Sequence, residues 1–405
     1  MVIRQRLGVS HRGQIAPPSP VRKLTPLATQ ARARGVKVLH VNIGQPDIPT
    51  PPAIFEAIRG YDDEVIPYAP SPGCPETIAA WCAYYATHGF DLSRNEVIVT
   101  TGGSESLWFA FMAVGDPGDE ILLFEPTYAN YFGFGASTGV QPVAVKTCSE
   151  NGFHLPDRDT IEAAIGPRTR AILIAHPNNP TGTVYDEAEL RVLIDLAVEH
   201  DLFLISDETY RELVFDGLTH TGMLGFTEPE IADRVIVVDS VSKRFSATGM
   251  RVGCLVSRNP EVMDAVGRFA QARLSSPTIE QLAVVPMLTN PTDYTTWLRG
   301  VYENRRDVVY HGLTEAGLPC RKPSGAFYLM VDLPIYDCDH FASWLLTDFS
   351  SNDETVMIAP GAGFYLTPGE GLNQARIAYV LNEERLLRAL EILSEALVTY
   401  RGGFA

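Results

Sequence analysis

The sequence predicts an α/β fold: a mainly parallel sheet with one antiparallel strand, joined to a smaller α+β domain. Three observations carry this. From Val97 onward, short apolar runs alternate with helix-length segments, as in a parallel sheet crossed over by helices. The runs Val235–Val238 and Val252–Val256 are separated by too few residues for a crossover helix, so the second should run antiparallel to the first. From about residue 291 the pattern changes to helix, strand, helix, strand, the mark of a separate α+β unit.

Taken in order, residues 1–20 are polar and proline-rich and read as a loosely held arm. Residues 22–35 suit a short helix closed by Gly35. A strand-like VKVLHVNIG leads into the turn Gly44-Gln45-Pro46-Asp47. Residues 67–88 are a loop followed by a helix starting near Pro75. Apolar strand candidates follow at Val97–Val99, Ile121–Phe124, Ala171–Ala175, Phe203–Ile205, Val235–Val238 and Val252–Val256. Residues 186–199 form an amphipathic helix with Asp186 as N-cap. Residues 260–290 read as long helices interrupted near Ser275-Ser276-Pro277. The last part supplies strands at Ala326–Val331 and Arg376–Val380 and a terminal helix capped by Asn382. The expected division is 1–48 (arm and part of the small domain), 49–290 (large domain) and 291–405 (small domain).

A net charge of −17 over 405 residues argues against non-specific binding to nucleic acid or anionic membranes. The six cysteines are scattered without C-x-x-C spacing, so neither a zinc site nor a dithiol motif is indicated, and a reducing, cytoplasmic setting fits. The N-terminal basic residues are not followed by an apolar segment, so no secretory signal is expected, and no apolar run is long enough for a membrane span.

The chemistry concentrates at strand ends, where open α/β sheets build their sites. Lys243 follows the strand Val235–Val238 in SVSKRFSATGMRVG, flanked by Ser240 and Ser242 and followed by Arg251 between Gly249 and Gly253. Hydroxyls and a guanidinium beside an amine suit a phosphorylated carbonyl compound: the arginine clamps phosphate and the amine condenses with the carbonyl. Thr101-Gly102-Gly103-Ser104 precedes an apolar helix, and two glycines let backbone N–H groups approach an anion there. This turn has no lysine of a P-loop and no glycine at 106 for a hydrolase elbow. Tyr128, Asn179 in PNNPTG, and Asp207 with Tyr210 in SDETY close three further strands. On their own, Tyr68 and Tyr128 are equally packed tyrosines, Asp207 a helix cap and Arg376 a surface strand arginine.

Together these motifs resemble the class I/II pyridoxal-phosphate aminotransferases of fold type I, the aspartate aminotransferase family, in the right order from about residue 40 to 380. The resemblance implies a seven-stranded sheet with one antiparallel strand. It implies pyridoxal 5'-phosphate on Lys243, with Gly103, Ser104, Ser240 and Arg251 at its phosphate and Tyr128 stacked on its ring. Asp207 would pair with the ring nitrogen, and Asn179 and Tyr210 would donate to the phenolic oxygen. Gly44 would line the substrate pocket, and Arg376, spaced after Pro360-Gly361, would bind the substrate carboxylate. Tyr68 and Ser275-Ser276 would reach the neighbouring subunit of a homodimer. In QARLSSP the position that reads a side-chain carboxylate in dicarboxylate-specific members holds Gln271, with Arg273 offset. The activity implied is ping-pong transfer of an amino group between an L-amino acid and a 2-oxo acid. The alternatives are elimination or replacement, or a cyclising synthase reaction, on the same scaffold. A non-catalytic ligand-binding descendant is disfavoured, since every catalytic position is filled. A nicotinamide dehydrogenase lacks its G-x-G-x-x-G here.

Overall fold

The computed structural model describes residues 8–400. Its strands are β1 (Lys37–His40), β2 (Val97–Thr100), β3 (Glu120–Glu125), β4 (Gln141–Lys146), β5 (Thr169–Ala175), β6 (Phe203–Asp207), β7 (Val235–Ser240), β8 (Gly253–Ser257), β9 (Tyr328–Asp332), β10 (Glu354–Met357), β11 (Ala359–Pro360) and β12 (Gln374–Ala378). Seven of them form one sheet in the order β2-β8-β7-β6-β5-β3-β4. β8 is antiparallel to both β7 and β2, as its short connection requires, and the pairs among β3 to β7 are parallel. β4 was not visible as an apolar run: it is an edge strand holding Pro142 and is only half-buried.

The strands β6, β7 and β8 are buried along nearly their whole length. Apolar side chains on both faces explain this: Val235 and Val237 join one core, Ile236 and Val238 the other. The C-terminal ends of β2, β5, β6 and β7 therefore open on the same edge of the sheet.

The smaller unit has a three-stranded sheet, β11-β12-β9, and a parallel pair, β1 with β10. Its core draws on Leu24, Leu39 and residues from Leu298 to Ala396. The expected helix boundaries are recovered with small shifts. Asp186 accepts from Glu189 N at 2.9 Å, and Asn382 accepts from Arg385 N at 3.0 Å. The strand expected at Arg376–Val380 lies two residues earlier, at Gln374–Ala378.

The arm is exposed over residues 8–18, as expected, and only its end is held. Pro20 packs so closely on Gly363 that a Cβ there would stand 2.1 Å from Pro20 Cβ, and Val21 packs beside Phe364. Residues 1–7 of the arm lie outside the described residues. Among the described residues no helix is long and apolar enough to cross a membrane, and all six cysteines are free thiols.

Candidate active site

A cavity of about 630 Å³ opens where these strand ends meet the smaller unit. Gly44, Gly103, Ser104, Tyr128, Asn179, Asp207, Tyr210, Ser240, Lys243, Arg251 and Arg376 all line it. Tyr68 does not line it and is 81% exposed. Although the chain is acidic, the cavity holds Arg22, Lys243, Arg251 and Arg376 against the single carboxylate of Asp207.

Lys243 sits in the one-turn helix Val241–Arg244 after β7, started by Ser240, whose hydroxyl accepts from Ser242 N at 3.1 Å. Its amine donates to Gly44 O at 2.8 Å. Burial first, then the positive fields of Arg376 and Arg251, pull the amine down to about 8. Gly44 has no alternative: a Cβ there would lie 1.8 Å from Tyr328 Oη.

Asp207 ends β6. Thr209 donates to its Oδ1 through N at 3.2 Å and Oγ1 at 2.7 Å, and Tyr131 Oη donates to its Oδ2 at 3.0 Å. Burial pushes this carboxyl upward, and these donors oppose the shift. Tyr210 shares a hydrogen bond of 3.0 Å with Tyr328 Oη. Tyr128 meets Tyr131 edge to face at 5.4 Å, and burial pushes its hydroxyl up to about 12.

Arg376 is buried between the rings of Tyr328 and Phe364, its guanidinium carbon 4.1 and 4.7 Å from their centroids. It donates to Asn179 Oδ1 at 2.9 Å and Asn42 O at 2.6 Å, while its Nε has no hydrogen-bond partner among the described residues. A buried cation that lines the cavity thus keeps one donor without a partner.

The glycine turn after β2 and Arg251 form the opposite end. Arg251 holds φ 52°, and a Cβ on Gly102 would stand 2.5 Å from its Nη2. A Cβ on Gly103 would project toward Thr209 Oγ1 at 3.4 Å and Ser240 Cβ at 3.7 Å, into the cradle itself. Backbone N–H groups at the start of the helix Gly103–Val114, a guanidinium and hydroxyls make this end a phosphate-binding geometry.

Sequence reasoning did not single out Tyr131, Tyr328 or Asn42. Tyr131 follows Tyr128 by three positions, a helical spacing that could have flagged it. Tyr328 and Asn42 are brought in by tertiary packing. Gln271 and Arg273 do not line the cavity; Arg273 instead donates to Val99 O at 2.9 Å and stands 3.4 Å from Glu105. His176, directly after β5, is buried and stacked on His220 at 4.5 Å.

A depressed amine beside a buried carboxylate and two arginines, at the strand ends of a mixed seven-stranded sheet, is the arrangement of a pyridoxal-phosphate-dependent enzyme of fold type I. The residues fit the cofactor: the glycine turn, Arg251 and the Ser240 hydroxyl suit a phosphate, and Arg376 keeps a buried donor without a partner among the described residues. The chain matches the profile of aminotransferase class I and II over residues 36–393, and it belongs to that family. It is 34% identical over 397 residues to the aspartate/prephenate aminotransferase of Thermus thermophilus, covering 96% of this chain and 99% of that one. It is 32% identical over 402 residues to aromatic-amino-acid aminotransferase 2 of Thermococcus litoralis, covering 96% and 98%. The structure of Thermus thermophilus aspartate aminotransferase with maleate superimposes with a TM-score of 0.87 at 33% identity, covering 96% of this chain and all of that one. The protein is a pyridoxal-phosphate-dependent aminotransferase, moving an amino group between an amino acid and a 2-oxo acid.

Proposed function

We propose that Lys243 is the amine that carries the cofactor and moves the substrate proton. The observation behind this is its position: a cavity-facing amine pulled to about 8, 2.8 Å from Gly44 O, in the same cavity as Asp207 and Arg376. An amine in that range is an effective nucleophile and base near neutral pH. When bound, pyridoxal phosphate supplies the reactive carbonyl and a ring that draws electrons from the substrate's α-carbon.

The remaining roles are those the family resemblance implies, and the shared cavity supports them. Gly103, Ser104, Ser240 and Arg251 would hold the phosphate. Tyr128 would fix the ring plane. Asp207 would keep a proton on the ring nitrogen, and Asn179 and Tyr210 would donate to the phenolic oxygen. Arg376 would grip the substrate carboxylate, with Asn42 and Asn179 fixing its plane, and Gly44 borders the same pocket. The Lys243 amine would hold the cofactor and, freed once substrate is bound, would accept the substrate's α-proton and give it back.

We infer a homodimer with shared sites. Tyr68, Val65 and Ile66 are exposed (81%, 71% and 61%), and Thr278 Oγ1 donates to Pro67 O at 2.8 Å, tying this apolar stretch to the segment after Ser275-Ser276. Tyr68 would reach the phosphate of the second subunit. The pairing of β1 with β10 supports counting residues 1–48 with the small domain, alongside 49–290 and 291–405. Free cysteines and an acidic surface suit a cytoplasmic enzyme. The names of the relatives put aspartate, prephenate and aromatic amino acids first among candidate substrates.

Lys243→Ala tests the central assignment. The variant should lose turnover and the borohydride-fixed cofactor label at position 243; ordinary activity in it would refute the role.

A further inference from the structure

Behind the cavity lies a cluster of charged side chains sealed from solvent. Glu208, Arg211, Glu212, Asp239 and Arg244 are each at most 5% exposed. Their places in the chain are regular. Glu208 follows Asp207, Arg211 follows Tyr210, Arg244 follows Lys243 and Asp239 precedes Ser240. Asp239 and Ser240 end β7, where successive residues face opposite sides of the sheet. Glu208 and Arg211 lie in the turn after β6, and Arg244 closes the one-turn helix after β7.

The tightest link is Asp239 to Arg244. Arg244 Nη2 donates to Asp239 Oδ1, and both side chains have no exposed surface. Asp239 also accepts from Ser240 N at 2.6 Å and from Tyr85 Oη at 3.1 Å. The Arg244 guanidinium lies over the Tyr84 ring at 4.2 Å, and Tyr84 Oη donates to Glu212. On the other side, Glu208 accepts from Ser206 Oγ at 3.2 Å and Met223 N at 2.9 Å, with Arg211 at 3.4 Å.

Such a cluster is a poor stabiliser. Desolvating two ions offsets most of their attraction, and well-packed apolar replacements are often as stable or more so. Arg244 Nε and Nη1 have no hydrogen-bond partner among the described residues, which makes the balance worse. What the pair does achieve is geometric. Lys243 stands in a helix of one turn, Val241–Arg244, which has little stability of its own. The Asp239–Arg244 link spans that turn from the end of β7 to the residue after Lys243.

We propose that Asp239 and Arg244 are positioning residues that clamp the turn and aim the Lys243 amine into the cavity. The inference rests on Lys243 being the cofactor-carrying amine. A 1 Å error in aim is costly in catalysis, whereas binding contacts made elsewhere in the cavity are spared.

The test is D239N/R244M, which removes both charges together and leaves neither buried alone. In the apoprotein, condensation of Lys243 with added pyridoxal phosphate, followed by visible absorption, should slow by about tenfold or more. Turnover should fall by a similar factor with KM nearly unchanged. The affinity for pyridoxine 5'-phosphate, which has no aldehyde to condense, should stay close to that of the parent, and the melting temperature should not fall. Condensation and kcat within about twofold of the parent would overturn the proposal, as would equal losses of condensation and pyridoxine 5'-phosphate affinity. If the double variant does not fold, R244K, which keeps the charge and loses the flat guanidinium, is judged by the same criteria. Activity surviving in K243A would show instead that the reading of Lys243 is wrong.

Discussion

Tyr131 Oη donates to Asp207 Oδ2 at 3.0 Å, and the same ring stands edge-on to Tyr128 at 5.4 Å. One buried tyrosine thus braces both the Asp207 carboxylate and the Tyr128 ring. Tyr131→Phe removes only the hydroxyl and keeps the ring contact. A hydrogen bond to a charged group contributes about 1.5–3 kcal/mol, so cofactor affinity or kcat should fall by roughly tenfold to a hundredfold. In an Asp207→Asn background the same change should have much less effect, because its partner has gone. Titration of the apoprotein with cofactor, in all four members of the cycle, checks this; an equal loss in both backgrounds would rule out action through Asp207.

Lys243 makes the unliganded protein less stable than it could be. The folded amine titrates near 8, against an ordinary value of 10.5, so it binds its proton less tightly than in the unfolded chain. Between those values the unfolded state holds more protons, and stability rises with pH. The penalty is fully present below pH 8 and fades as the pH climbs to about 10.5. A shift of this size corresponds to about 3 kcal/mol. Apo Lys243→Met should therefore be more stable than the parent at pH 7, with the gap closing in alkali. Urea unfolding at several pH values measures it, and a gap independent of pH would contradict the depressed amine.

Gly253 is fixed by backbone on every side. A Cβ there would stand 2.7 Å from Asp239 O, 2.7 Å from Gly102 C and 2.8 Å from Gly103 N. None of these can rotate away, so Gly253→Ala must push the phosphate turn off β8. Overpacking of this kind costs about 1–3 kcal/mol in stability. Cofactor dissociation constants should rise by about tenfold or more, since the displaced N–H groups are those facing the anion. Equilibrium dialysis against pyridoxal phosphate decides the point; parental affinity in a folded variant would exclude Gly102 and Gly103 from the cradle.

Much of this molecule can be read from its sequence because its buried strands are apolar runs and its site residues follow them directly. Asp207 after Phe203–Ile205 and Lys243 after Val235–Val238 are examples, and both line the cavity. The antiparallel β8 was legible because its connection is too short for a crossover. β4 escaped because an edge strand with a proline carries no apolar run. Tyr328 and Asn42 escaped because only tertiary packing brings them to Tyr210 and Arg376. Glu208 is wholly buried, although in sequence a charge beside a site residue looks like a solvated group until its partners are known.

The most direct measurement mixes the cofactor-loaded protein with single amino acids and follows its visible absorption. The panel holds aspartate, glutamate, alanine, phenylalanine, arginine and kynurenine. The account predicts that at least one donor converts the bound cofactor fully to its amine form, that a 2-oxo acid restores it, and that Lys243→Ala does neither. Release of ammonia or of a cyclised product without that conversion would contradict amino-group transfer as the reaction of this site.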